Sequence, residues 1–135
     1  MSQENVELVL AAFDAYNDGD LDALMRFYAS DVEVLPDPAV FPESTPLHGI
    51  GEFGAWVEEI NAAWLNPRYL IRETIDAGDD RVLLRGDWGG VGASSGIEMY
   101  SSITGIFTVC DGQISRAEYQ FDHAEALKAV GLDEE

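Results

Sequence analysis

Residues 81–90 read RVLLRGDWGG. Val, Leu and Trp crowd into a short run between a GDD turn signal at 78–80 and a glycine pair, the composition of a β-strand. Alternation along a strand sends residues i and i+2 to one face. Arg85 and Asp87 therefore share one environment, and Val82, Leu84, Gly86 and Trp88 share the other. Two further β-rich runs flank this one, 68–77 before the GDD turn and 97–110 beyond the flexible stretch GGVGASSG. A tight CDG turn then leads into a last strand, 113–121. Consecutive strands joined by turns and short loops form an antiparallel meander.

Helices precede the meander. Val6, Val9, Leu10, Phe13 and Tyr16 fall at helical spacing, and the glycine of NDGD stands where a helix C-cap wants one. Asp20 is placed to cap a second helix over LDALMRFYAS, with Leu21, Leu24, Met25 and Tyr28 on one stripe. A brief strand, VEVL, leads into a loop enforced by prolines 36, 38, 42 and 46. From Gly49 to Asn66 the set Phe53, Trp56, Val57, Ile60 and Trp64 marks a third helix with an aromatic face, ended by Pro67. The chain closes with DHAEALKAVG, a helix with an Asp122/Glu125 capping pair. Helices first and an antiparallel meander afterwards make an α+β fold with a strongly curved sheet wrapped against helices. With 135 residues, no repeat and no linker, residues 1–135 read as a single domain.

Composition narrows the partners. Seven Lys and Arg stand against twenty-six Asp and Glu, for a formal net charge of −19. That balance repels nucleic-acid backbones and anionic lipid surfaces. No apolar run approaches the roughly 20 residues that span a bilayer, and no signal peptide is visible at the N-terminus. Together with the lone Cys110, this sets the expected location as the cytoplasm. Lys128 is the single lysine, a balance shared by salt-adapted proteins and by ordinary acidic ones. His48 and His123 are far apart without acidic neighbours at ligand spacing, so no metal is expected. No glycine-rich nucleotide motif occurs, and no cofactor is implied.

The order of elements, with AYNDGDLDALMRFYASDVEV, LHGIGEF, IDAGDDRVLL and FTVCDGQISRAEYQFDHAEALKAVGL, resembles the SnoaL-like branch of the nuclear transport factor two superfamily. The resemblance implies a cone-shaped α+β barrel, cystatin-like in outline, with a curved, mostly antiparallel sheet around N-terminal helices and a pocket inside. It covers isomerases, hydratases, cyclases, epoxide hydrolases and members without known chemistry, so fold alone does not set function. Against the ketosteroid isomerase pattern, the oxyanion-hole positions fall on Ala12 and on Gly105 or Thr104, which offer no suitable donor. Asp37 lies one residue beyond the base position. Limonene epoxide hydrolase is locally closer: its Arg-x-Asp strand is matched by Arg85-Gly86-Asp87, and its later strand resembles SITGIF, Ser102 to Phe107. Its second Asp is replaced here by Tyr119, and its Tyr and Asn positions by Val34 and Pro36.

The resemblance favours an inward Arg85/Asp87 pair, the alternative being a solvated pair on the outer face with Val82, Leu84, Gly86 and Trp88 inside. On the inward reading Asp87 is base or proton relay, Arg85 orients it, and Tyr119 with Tyr16 donates hydrogen bonds. Tyr16, Tyr28, Trp56, Ile60, Ile103, Phe107 and Phe121 are the expected ligand contacts. The function that follows is cofactor-independent acid/base chemistry of epoxide hydrolase, isomerase or cyclase type on a small hydrophobic molecule. A non-catalytic ligand-binding module is the alternative, and a structural dimerisation domain the third. A homodimer through the convex face of the sheet is expected, because that face lacks cover.

Overall fold

The computed structural model describes residues 2–35 and 46–120. Helix α1 (Ser2–Asn17) buries Val9, Ala12, Phe13 and Tyr16, successive turns of one stripe. Gly19 ends it with φ +77°, the left-handed conformation a helix terminus asks of glycine. Asn17 fastens that end to the sheet: its Oδ1 accepts from the Tyr69 amide at 2.8 Å and its Nδ2 donates to the Tyr69 carbonyl at 3.0 Å. Helix α2 (Leu21–Arg26) is capped by Asp20, whose side chain accepts from Ala23 N at 3.0 Å. It is one turn and a half, shorter than its apolar spacing suggests. Tyr28 consequently opens strand β1 (Tyr28–Leu35) rather than lying on the helix, and is buried there.

After the two-residue strand β2 (Leu47–His48), helix α3 (Ile50–Ala62) begins with Glu52 reaching back to accept from the His48 amide at 2.8 Å. It buries Phe53 and Val57. The helix stops at Ala62, not at Pro67; Trp64 belongs to strand β3 (Trp64–Gly78), where Pro67 sits in a break of register between Leu65 and Arg68. Proline is tolerated there because a bulged residue owes no ladder hydrogen bond.

Strands β4 (Arg81–Gly92), β5 (Glu98–Cys110) and β6 (Gln113–Gln120) complete one six-stranded sheet ordered β2-β1-β6-β5-β4-β3. All pairs are antiparallel except β1 with β6. The β3–β4 turn places Asp79 and Asp80 at φ +54° and +61°, and the β5–β6 turn does the same with Asp111 and Gly112. Two successive positive angles match the twist that a two-residue hairpin requires. The expected α+β architecture, with helices first and a curved sheet, is the observed one. The proline loop from 36 to 45 and the expected closing helix lie outside the described residues.

The sheet separates two clusters. On its helix side Val82, Leu84, Phe107, Val109, Ile114 and Ala117 join the buried faces of α1, α2 and α3. On the opposite side Leu83 and Ile106 form a smaller cluster with Ile75 and Ala77.

Candidate functional site

Between the helices and the sheet lies a cavity of about 580 Å³. Its wall is aromatic because each element contributes its inward positions. Helix α1 supplies Phe13 and Tyr16, α3 supplies Trp56, Ile60 and Asn61, and the strands supply Tyr28, Tyr69, Trp88, Ile103, Phe107 and Tyr119. Ring contacts knit these together: Phe13 meets Phe107 edge-on at 5.3 Å between centroids, Phe107 meets Tyr119 at 5.9 Å, and Trp64 meets Trp88 at 5.4 Å. Two glycines keep the interior open. A Cβ on Gly86 would come within 3.0 Å of the Tyr69 ring, and one on Gly105 within 2.6 Å of Phe107. With hydrogen alone at Gly86, Tyr69 can cross the sheet and donate its hydroxyl to the Ile103 carbonyl at 2.7 Å.

Polar groups in the cavity are few and mostly paired. Trp88 Nε1–H donates to the Tyr16 hydroxyl at 2.8 Å, and Tyr16 donates to Asn61 Oδ1 at 3.1 Å. The hydroxyls of Tyr28 and Tyr119 are hydrogen-bonding partners of one another. Burial, above all, raises the pKa of Tyr16, Tyr28, Tyr69 and Tyr119 above the ordinary phenol value. These groups are therefore neutral donors and acceptors at physiological pH. Glu59, an exposed residue of α3, is the one charged side chain on the wall among the described residues.

Arg85 and Asp87 are not on that wall. The inward members of β4 are Val82, Leu84, Gly86 and Trp88, and the expectation of an inward charged pair is corrected accordingly. Arg85 is exposed and stands opposite Glu73 and Thr104. Asp87 pairs with Arg72, not Arg85, and accepts from Ser102 Oγ at 3.1 Å. The cause is local: β3 bulges between Ile71 and Glu73, and the extra residue is Arg72. Charges take the outer face because water can solvate them there, whereas an apolar cavity cannot.

Tyr119, Tyr16, Tyr28, Trp56, Ile60, Ile103 and Phe107 do line the cavity, and Phe121 lies outside the described residues. Asn61, Trp88, Tyr69 and Phe13 line it too, although none of them is among the expected ligand contacts. For Asn61 a signal existed: it lies one helical turn after Val57, a polar residue on an otherwise apolar stripe. Among the described residues no group of three or more His, Cys, Asp or Glu is placed to hold a metal ion, and no helix is long and apolar enough to cross a membrane.

Comparison with known proteins decides the family. The SnoaL-like domain family matches residues 9–117. The chain belongs to it. Among solved structures, TerC co-crystallised with polyporic acid is 21% identical, with a TM-score of 0.76 over 95% of this chain and 98% of that one. A candidate polyketide cyclase from Xanthomonas campestris pv. campestris is 25% identical, TM-score 0.74, covering 95% and 97%. A hypothetical protein with a ketosteroid isomerase-like fold from Catenulispora acidiphila, in complex with trimethylamine, is 17% identical, TM-score 0.74, covering 93% of each chain. Among curated proteins none matches. The SnoaL-like fold of this chain thus comes with neighbours that hold small molecules.

Proposed function

We propose that this SnoaL-like protein, acting as one domain over residues 1–135, binds a small hydrophobic organic molecule in the cavity. The supporting observation is an interior of about 580 Å³ walled by aromatic and aliphatic side chains with a handful of hydroxyl and amide groups, the usual make-up of a small-molecule site. Complexes of two fold relatives with polyporic acid and trimethylamine are in keeping with this use of the cone. Of the two leading function classes, a binding module is favoured over acid/base catalysis by Asp87, because that carboxylate faces away from the cavity. A cyclase-type enzyme is a second reading, favoured by the neutral Tyr28–Tyr119 pair: a phenol held protonated by burial can donate to a ligand oxygen as charge develops on it.

The test is equilibrium dialysis with 2-isopropylnaphthalene, a neutral aromatic hydrocarbon smaller than the cavity. Saturable binding of one molecule per chain is expected. It should disappear in Ile103→Trp, which plugs the cavity. A folded wild type without saturable binding sinks the reading.

We also propose a homodimer through the outer face of the sheet, where Leu70 and Tyr100 remain 42% and 41% exposed beside the Asp87–Arg72 pair. Sedimentation at micromolar concentration should give about twice the chain mass of 14.8 kDa. A monomer at every concentration removes this proposal.

A further inference from the structure

Among the described polar groups on the cavity wall Asn61 keeps two donors to spare, against one each for the exposed Ser101 and for the Tyr28–Tyr119 pair. Tyr69 spends its only proton on a backbone carbonyl. Trp88 Nε1–H is committed to Tyr16, and Tyr16 passes its own proton to Asn61 Oδ1. This single-file chain fixes which way the Asn61 amide points. Flipping the amide would place Nδ2 against a hydroxyl that already accepts from Trp88, and would leave the Tyr16 proton orphaned in an apolar cavity. With Oδ1 engaged, Nδ2 carries two N–H donors that have no protein acceptor among the described residues. Asn61 is half-buried on the cavity wall, and its Nδ2 is not among the atoms sealed away without a partner. It is accessible to an occupant.

Charge supplies the second constraint. Among the described residues no Lys, Arg or His lines the cavity and Glu59 is its one charged residue, and the chain carries a formal −19. A bound anion would lose its hydration with no counter-charge among the described lining residues and would enter against the repulsive field of the chain's net charge. A carbonyl oxygen accepts the same hydrogen bonds at a fraction of that desolvation cost.

We propose that the cavity selects a neutral, ring-bearing ligand whose carbonyl oxygen accepts from Asn61 Nδ2, and discriminates against the carboxylate of the same shape. The inference rests on the binding reading above and names its ligand class. Asn61 is the specificity-determining residue; Tyr16 and Trp88 hold its amide in place.

Three probes sharing one ring system separate the two claims by equilibrium dialysis at pH 7: 2-acetylnaphthalene, 2-isopropylnaphthalene and 2-naphthoate. In the wild type the ketone should bind about fivefold more tightly than the hydrocarbon, equivalent to one hydrogen bond of about 1 kcal/mol. The naphthoate should bind at least about a hundredfold more weakly than the ketone. Asn61→Leu should bring the ketone-to-hydrocarbon ratio to about one. Asn61→Asp, which keeps the shape and removes the donors, should do the same and covers the case in which the leucine variant does not fold. Hydrocarbon binding without ketone preference overturns this inference alone. So does naphthoate binding as tight as the ketone, or an unchanged ratio in whichever variants fold. Failure of the hydrocarbon itself to bind overturns the cavity reading and this inference with it.

Discussion

Strand β4 presents two faces that differ in how their polar groups are kept. Inward stand Leu84, Gly86 and Trp88, and the polar atoms they meet are neutral: phenol hydroxyls, an indole N–H, a side-chain amide. Outward stand Leu83, Arg85 and Asp87, with formal charges beside a small apolar cluster. One backbone carries both because alternate residues never share a solvent. The difference shows that polarity in the cavity is built from groups that need no counter-ion, while ionised groups remain where water screens them.

Alkaline pH should strain the inward face most. Burial raises the pKa of Tyr16, Tyr28, Tyr69 and Tyr119, whereas in the unfolded chain these phenols ionise near pH ~10. The stability linked to their protons is therefore fully present below about pH 10. It is lost as pH rises through the raised values of the folded state. Urea unfolding between pH 8 and 11 should show a steep fall at the upper end, and Tyr119→Phe should remove part of the slope. A flat profile would mean that the phenols are solvated and that the two faces do not differ as described.

The smaller effect belongs to the outer face. In the single chain Arg72 is 68% exposed on its side chain and Asp87 18%, so at concentrations low enough to keep the protein monomeric Asp87→Asn should cost at most about 1 kcal/mol of unfolding free energy in urea titration. A loss of about 3–5 kcal/mol is the signature of an uncompensated buried charge and would return Asp87 to the interior.

Much of this was legible in the sequence, because hairpin turns and helical stripes are local. The GDD and CDG turns, the α1 stripe and the antiparallel meander of β3 to β6 follow from residues that fix their own backbone; the parallel pairing of β1 with β6 does not. Element ends were harder. Tyr28 and Trp64 each continue a helical stripe and yet open a strand, since both positions face the same cavity whichever element carries them. The orientation of RVLLRGDWGG was ambiguous for a definite reason: Leu83 and Leu84 are both buried, on opposite faces, so apolar alternation alone favours neither set. What distinguishes them is the bulge that lets Arg72 reach Asp87, and nothing in the RGD motif itself encodes that distant partner. The Asn61–Tyr16–Trp88 chain joins a helix end, another helix and a strand, and such long-range hydrogen bonding leaves little trace in residue spacing.

All three tryptophans of this chain line the cavity. Its ultraviolet emission therefore originates at the cavity wall, with no indole elsewhere to dilute the signal. The edge-on Trp64–Trp88 contact and the Trp88–Tyr16 hydrogen bond place those indoles where an occupant would displace solvent or quench them directly. The wavelength and intensity of that emission make a built-in gauge of whether the cone is wet, empty or filled, readable without any label.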